Sequence, residues 1–189
     1  MGMTLYTYFM NRSIFSEAVV LSSRPFSEAD KLITVFSKDF GKLTLLARGV
    51  KRTKSRKRGA LEVFNQIKFF AHKSKGLPVM TEVEVINNFT KVREVLKRVA
   101  VAYFLVEVVA QATREEEPNQ DVYYLLVVSL DKLSNEKKLK ELRSEFSIKL
   151  AERLGFIPEG QFVPNSDELI ENIIERKLGS VRVGKKLQV

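Results

Sequence analysis

At Asn87-Asn88 the spacing of apolar residues changes from two to 3.6. That change commits the chain to a β-rich first part followed by a helical one. Before it, short runs rich in branched residues alternate with turn signals. Ala18-Val19-Val20-Leu21-Ser22 reads as a first strand, and Pro25 in Arg24-Pro25-Phe26-Ser27-Glu28 marks the turn after it. Leu32 to Phe36 is a second strand, and Lys38-Asp39-Phe40-Gly41 a turn whose glycine is free to take positive φ. Lys42 to Arg48 is a third. Leu61 to Ala71 reads as a fourth, with a shift of phase near Asn65-Gln66 that predicts a bulge. After the turn Lys73-Ser74-Lys75-Gly76, Leu77 to Val85 is a fifth, with Pro78 at its tolerated start. Residues 1–15 show no clear period and are set apart as a leader.

Five short strands with no helix among the first four predict a small all-β barrel. Their length fits the five-stranded oligonucleotide- or oligosaccharide-binding (OB) barrel over residues 16–86. Beyond it, Val92, Val95, Leu96, Val99, Ala100, Tyr103, Phe104 and Val106 recur at helical spacing, and the helix ends before Glu115-Glu116-Glu117-Pro118. Asn119 is the expected N-cap of a second helix, Val122 to Leu130, which reads as almost fully buried. A third begins at Ser134-Asn135, carries Leu139, Leu142, Phe146, Leu150 and Leu154, and stops at Gly155. Asn165 with Glu168 resembles a capping box for a last helix ending at Gly179, before a basic tail. The fold expected is α+β: an N-terminal five-stranded barrel, then an all-α domain over 87–189. With no Gly/Ser/Pro spacer between them, the two parts should pack on each other.

Charge singles out one segment. The net charge of +9 concentrates in residues 1–86, with 15 Lys+Arg against 7 Asp+Glu, while residues 87–189 hold 17 against 16. From Lys51 to Arg58, six of eight residues are cations (Lys51, Arg52, Lys54, Arg56, Lys57, Arg58), with glycines at 49 and 59 bounding the loop. Only Val50 in it is clearly apolar, so the loop is not expected to contribute to a core. Such a run stays solvated unless a polyanion arrives. It is read as a nuclear-localisation-like patch, as a merely solvated loop, or as a loop that contacts nucleic acid. Lys42, Arg48 and Lys68 are placed as its extensions, with Lys73 and Lys75 beyond, and one or two of Phe36, Phe40, Phe64, Phe69 and Phe70 are candidates to stack on bases.

Chemistry is otherwise sparse. There is no cysteine, which removes disulfides, thiolate zinc sites and a Cys nucleophile, and fits a reducing compartment. His72 is the single histidine and sits in a Lys-rich turn, where a surface role outweighs catalysis. No phosphate-cradling glycine motif is present, and Glu115-Glu116-Glu117 reads as a solvated helix end rather than a cation site. Tyr103-Phe104 and Tyr123-Tyr124 lie on apolar stripes and are assigned to the core. Neither a signal peptide nor an apolar run long enough to span a bilayer is recognised, so a cytoplasmic, non-enzymatic protein without cofactors is expected.

Several segments, in order, resemble the bacterial RecO family of recombination mediators: Glu28-Ala29-Asp30-Lys31-Leu32, Phe40-Gly41-Lys42, Ala47-Arg48-Gly49-Val50-Lys51-Arg52, Gly59-Ala60-Leu61-Glu62-Val63-Phe64 and Leu154-Gly155-Phe156-Ile157-Pro158. The resemblance covers about residues 17–160. It implies an oligonucleotide-binding barrel, a helical domain, binding of single- and double-stranded DNA and annealing of complementary strands. It further implies work with RecR and the single-strand-binding protein in loading RecA, in the cytoplasm at the nucleoid. The DNA-contact positions it carries over are Arg48, Lys51, Arg52, Ser55 and Arg56. The four-cysteine zinc module that many members carry after the Gly-Phe-x-Pro segment has no counterpart here. The rival expectations are a protein–protein adaptor gripping an acidic partner and an RNA-binding barrel.

Overall fold

The computed structural model describes residues 13–52, 55, 57–174 and 187. Of the expected leader over residues 1–15, residues 1–12 lie outside the described residues, as do two of the loop cations and the expected end of the last helix. Ser13, Ile14 and Phe15 are no leader but the start of the first strand, paired with the fourth, and Ile14 is buried in the barrel core.

Five strands, β1 (Ser13–Pro25), β2 (Lys31–Ser37), β3 (Gly41–Ala47), β4 (Gln66–His72) and β5 (Val79–Asn87), close a barrel in the order β1-β2-β3-β5-β4. All neighbours are antiparallel except β3 and β5, which close the barrel through the short parallel pair Leu46↔Val79 and Ala47↔Met80. β1 is long enough to serve two partners. Its first half pairs with β4 (Ser13↔His72 to Val19↔Gln66), its second with β2 (Ala18↔Ser37 to Pro25↔Lys31), and its register slips between Val20 and Ser22.

The unbroken apolar run of β1 has a packing reason. Ala18 and Val20 point into the barrel with Ile33, Val35, Leu43, Leu45, Ile67 and Phe69. Val19 and Leu21 point outward with Phe36, into a second core shared with the helices. A strand covered on both faces loses its polar alternation.

The predicted fourth strand is corrected. Only Gln66–His72 is extended, and Leu61 to Phe64 form turns in which Leu61 and Phe64 are fully buried. Phe64 takes φ 59°, a left-handed conformation that a strand cannot contain. The phase shift near Asn65-Gln66 is where the strand begins, and the β4–β5 register does slip between Gln66 and Ile67.

The helices are α1 (Thr90–Arg93), α2 (Leu96–Ala112), α3 (Gln120–Leu133), α4 (Leu139–Arg153) and α5 (Ser166–Ile174). The first predicted helix is thus two pieces, broken at Glu94-Val95, and the third starts at Leu139 rather than at Ser134. α2 is the central helix, burying Ala100, Val101, Ala102, Phe104, Leu105, Val106, Val108 and Val109. α3 is not almost fully buried as its sequence suggests: Tyr124 and Val128 are half exposed. Asn119 caps α3 as expected, its side-chain oxygen accepting from Val122 N–H at 3.0 Å. Gly155 (φ 76°) ends α4, with Phe156 N–H returning to the Ala151 carbonyl. Asn165 accepts from the amides of Asp167 and Glu168 at the start of α5.

Barrel and helices are pinned by polar ties as well as by the shared core. The Lys42 ammonium donates to the Ala110 carbonyl at 2.7 Å and to that of Thr113. Glu116 N–H donates to the Lys42 carbonyl at 2.9 Å. Gly41 (φ 68°) lies so close to this segment that a Cβ would sit 2.1 Å from the Glu117 carbonyl oxygen. The expected glycine freedom is therefore joined by a demand for space. Tyr123 hydroxyl accepts from Gln66 Nε2 (3.1 Å) and donates to Glu17 (3.4 Å), and burial pushes its phenol up to about 12.

Candidate nucleic-acid interface

The basic loop joins β3 to β4, and both of its ends are fastened. At the start, Gly49 N–H donates to Asp30 Oδ1 at 2.8 Å and Lys51 N–H to the Ala29 carbonyl at 3.0 Å. Val50 is completely buried among the barrel residues. The expectation that the loop contributes nothing to a core fails at this residue, because one apolar side chain between two tethered amides is enough to anchor a loop. Asp30 is held below the usual carboxylate range, chiefly by the Gly49 amide, then by the Ser27 hydroxyl and by Arg48 and Arg52 nearby, against an opposing effect of burial.

At the far end, Leu61 is buried in the barrel core, Phe64 in the core shared with the helices, and Asn65 Nδ2 donates to the carbonyls of Gly59 and Ala60. Arg93 on α1 clamps this end. Its guanidinium donates to the Val63 carbonyl (2.9 Å) and Asn65 Oδ1 (2.7 Å), pairs with Glu62 at 3.6 Å, and lies 3.9 Å over the Phe64 ring.

The cations then sort themselves. Arg48, Arg52 and Arg58 are exposed, and Lys51 and Ser55 are half-buried. Lys51 bends its ammonium onto the Ser27 carbonyl at 2.5 Å. Lys57 donates to the Met80 carbonyl at 3.1 Å, and burial lowers its pKa, so it braces the loop against β5. Lys54 and Arg56 fall outside the described residues.

Two expected extensions are placed elsewhere. Lys42 does not enlarge the patch, because its ammonium is committed to the carbonyls of Ala110 in α2 and of Thr113 just beyond it. Lys68 is exposed on the outer face of β4, over the Phe15 ring at 5.1 Å, and its strand partners are Glu17 and Glu84. It pairs with the first half of β1, away from the loop.

Sequence reasoning missed Arg24, Lys31 and Phe26, which the barrel brings to the loop beside the expected Arg48. Arg24 lies at the end of β1, Lys31 opens β2 and Arg48 follows β3; the pairings Pro25↔Lys31 and Lys31↔Ala47 set these three strand ends side by side. The β1–β2 turn presents Phe26, 58% exposed, next to Ser27, on which Lys51 rests. The stacking candidates proposed from sequence are different rings: Phe36, Phe64 and Phe69 are core, and Phe40 and Phe70 are half-buried. A signal for Phe26 was present, since an aromatic in a Pro-containing turn has no strand face on which to hide. Tyr123 and Phe104 are core as expected, but Tyr103 and Tyr124 are half exposed.

What results is a rim of cations on three strand ends and one anchored loop, with one exposed ring beside it. Such a surface neutralises phosphates without reading bases, and a ring offers a stacking plane indifferent to sequence. His72 meets the Ser13 hydroxyl (3.4 Å) and the edge of Phe70. Among the described residues no group of three or more His, Asp or Glu is placed to hold a metal ion, and no helix is long and apolar enough to cross a membrane.

Known proteins match this chain along both parts. A family described as Recombination protein O N terminal matches residues 10–89, and one described as Recombination protein O C terminal matches 93–166. A DNA repair protein RecO of Pelotomaculum thermopropionicum is 33% identical over 143 residues, covering 76% of this chain and 56% of that protein. The protein of the same description from Listeria monocytogenes is 30% identical over 142 residues, 75% of this chain and 56% of its own length. That from Desulforamulus reducens is 35% identical over 114 residues, 60% of this chain and 44% of its own. The chain spans about half the length of these curated relatives. With the barrel and most of the helical part each matched to its own half of one description, the chain belongs to the RecO family.

Proposed function

We propose that this chain is a DNA-binding mediator of recombinational repair that holds strands by their phosphates at the barrel rim. The observation that carries the reading is the convergence of Arg24, Lys31, Arg48 and Arg52 on one end of the barrel, beside the exposed Phe26, with Arg58 exposed further along the loop. The remaining loop residues, Lys51, Lys54, Ser55, Arg56 and Lys57, belong to the same contact segment, with Lys57 as its brace. The barrel is the DNA-binding unit over 16–86 and the helical part the protein-binding one, with RecR and the single-strand-binding protein as partners and RecA loading as the outcome. Its mechanism is positional. Phosphate contacts release condensed counterions, two strands neutralised on one rim repel each other less, and annealing follows without a nucleotide cofactor.

The test is oligonucleotide anisotropy and strand annealing across a salt series, on single-stranded DNA, duplex DNA and matched RNA. Affinity that falls steeply with salt, with annealing at low salt, supports the reading. Tighter binding of RNA would transfer the site to the RNA-binding alternative. Absence of any salt-dependent affinity would leave an adaptor for an acidic protein.

A further inference from the structure

An apolar cleft of about 770 Å³ lies between β1 and α2, against the shared core. Leu21, Val63, Val99 and Ala100 line it, and Leu96 and Tyr103 stand in it 66% and 46% exposed. One further lining residue comes from far along the chain: Leu187, half-buried and packed against the helical core cluster. We propose that the cleft is the docking site of the chain's own C-terminal segment, residues 181–189, with Leu187 as its anchor.

Three observations agree on this occupant. Leu187 is already seated on the cleft. Ile174, where α5 ends, is buried in the same core cluster, and residues 175–186 between them can reach roughly 40 Å when extended. The segment also has the right chemistry: Val181, Val183, Leu187 and Val189 are apolar, Lys185 and Lys186 precede the anchor, and the polar side chains of the cleft are Glu107, Gln111 and two serines. Those serines, Ser22 and Ser23, adjoin Arg24 of the rim. Docking therefore brings Arg182, Lys185 and Lys186 to the side of the barrel that carries the basic rim. This last consequence rests on the DNA-binding reading; the docking itself does not.

The chain contains no tryptophan, so Tyr103→Trp in the full chain, at a half-buried position of the cleft lining, is a lone reporter. Leu187→Ser in that background should raise acrylamide quenching of the indole about twofold, as a half-shielded ring becomes solvent-exposed. A synthetic peptide of residues 181–189 added in trans should restore the shielding, and the same peptide with serine at the Leu187 position should not. Equal quenching with and without Leu187→Ser, in chains with matching circular dichroism, overturns the docking. Leu187→Ser keeps every cation, yet it should lower the salt slope of single-strand binding as much as Arg182→Gln/Lys185→Gln/Lys186→Gln does, by up to about 2. A quenching change with an unchanged slope refutes the extension of the rim and leaves the docking intact.

Discussion

Replacing Arg24, Arg48 and Arg52 together by Gln removes three exposed cations from the rim without touching a buried side chain. If each meets one phosphate, the slope of log K against log salt becomes shallower by about 0.7 per contact on single strands, or about 2.1 in total, and by about 2.7 on duplex. Between 50 and 200 mM salt the parent chain should then lose about 18-fold more single-strand affinity than the variant, since a fourfold salt change is raised to that power. The assay is anisotropy of a labelled oligonucleotide at four or more salt concentrations. A second triple variant, Lys97→Gln/Lys137→Gln/Lys140→Gln, loses the same charge from exposed positions on the helical part. It should change the slope little, because it alters the general field and not a contact. A rim variant whose slope equals that of the parent, or a helical variant whose slope falls as far, refutes the placement of the phosphates.

Gly41→Ala forces a Cβ to within 2.1 Å of the Glu117 carbonyl and a side chain into φ 68°. The left-handed conformation alone costs about 1–2 kcal/mol, so thermal unfolding should fall by at least about 2–8 °C; an unchanged midpoint would show that the 113–117 segment is not held against β3. Arg93→Ala leaves the Val63 carbonyl and Asn65 Oδ1 without their charged donor. It should cost about 2–3 kcal/mol, and Arg93→Lys should not restore it, because an ammonium lacks the fork and the flat face that covers Phe64. Asp30 has a depressed folded pKa, so its contribution is present above the unfolded value near 4 and is lost as pH falls through the folded one. Asp30→Asn should accordingly narrow the gap between chemical unfolding midpoints at pH 7 and at pH 3, and a gap identical to that of the parent argues against the Asp30–Gly49 hook. Tyr123, pushed up to about 12 by burial, should give a late step in an alkaline absorbance titration, and Tyr123→Phe should remove it.

The barrel was legible because period and turn chemistry are local. Alternation, Pro25 and Gly41 each report on their own neighbourhood, and the helical spacing after Asn88 survives whatever it packs on. Leu61 to Phe64 misled because apolar residues in a tight turn and in a strand look alike, and only the positive φ of Phe64 separates them. Lys42 misled for a different reason. Charge is legible in sequence but its partner is not, and the carbonyls it meets are those of Ala110 and Thr113, on the far side of the chain. Arg24 and Lys31 went unseen because a rim is a property of strand order. Nothing in the two residues singly says that β1 and β3 end where β2 begins.

The same reasoning explains why the basic loop needs the helical part. Like charges packed into eight residues repel and would keep an untethered loop spread through solvent, with little fixed potential at any point. Here the segment is held from below by Val50 and the Asp30–Gly49 bond, and from its far end by Leu61, Phe64 and the Arg93 clamp. The clamp comes from α1, so the helical part fixes where the loop leaves the barrel. On the DNA-binding reading, ordering entropy of the tethered ends is met during folding rather than on contact with a strand, and each exposed arginine would keep more of its phosphate interaction as net affinity. On the DNA-binding reading, loosening the clamp should therefore weaken strand binding even though the Arg93 guanidinium is itself engaged by the Val63 carbonyl, Asn65, Glu62 and the Phe64 ring.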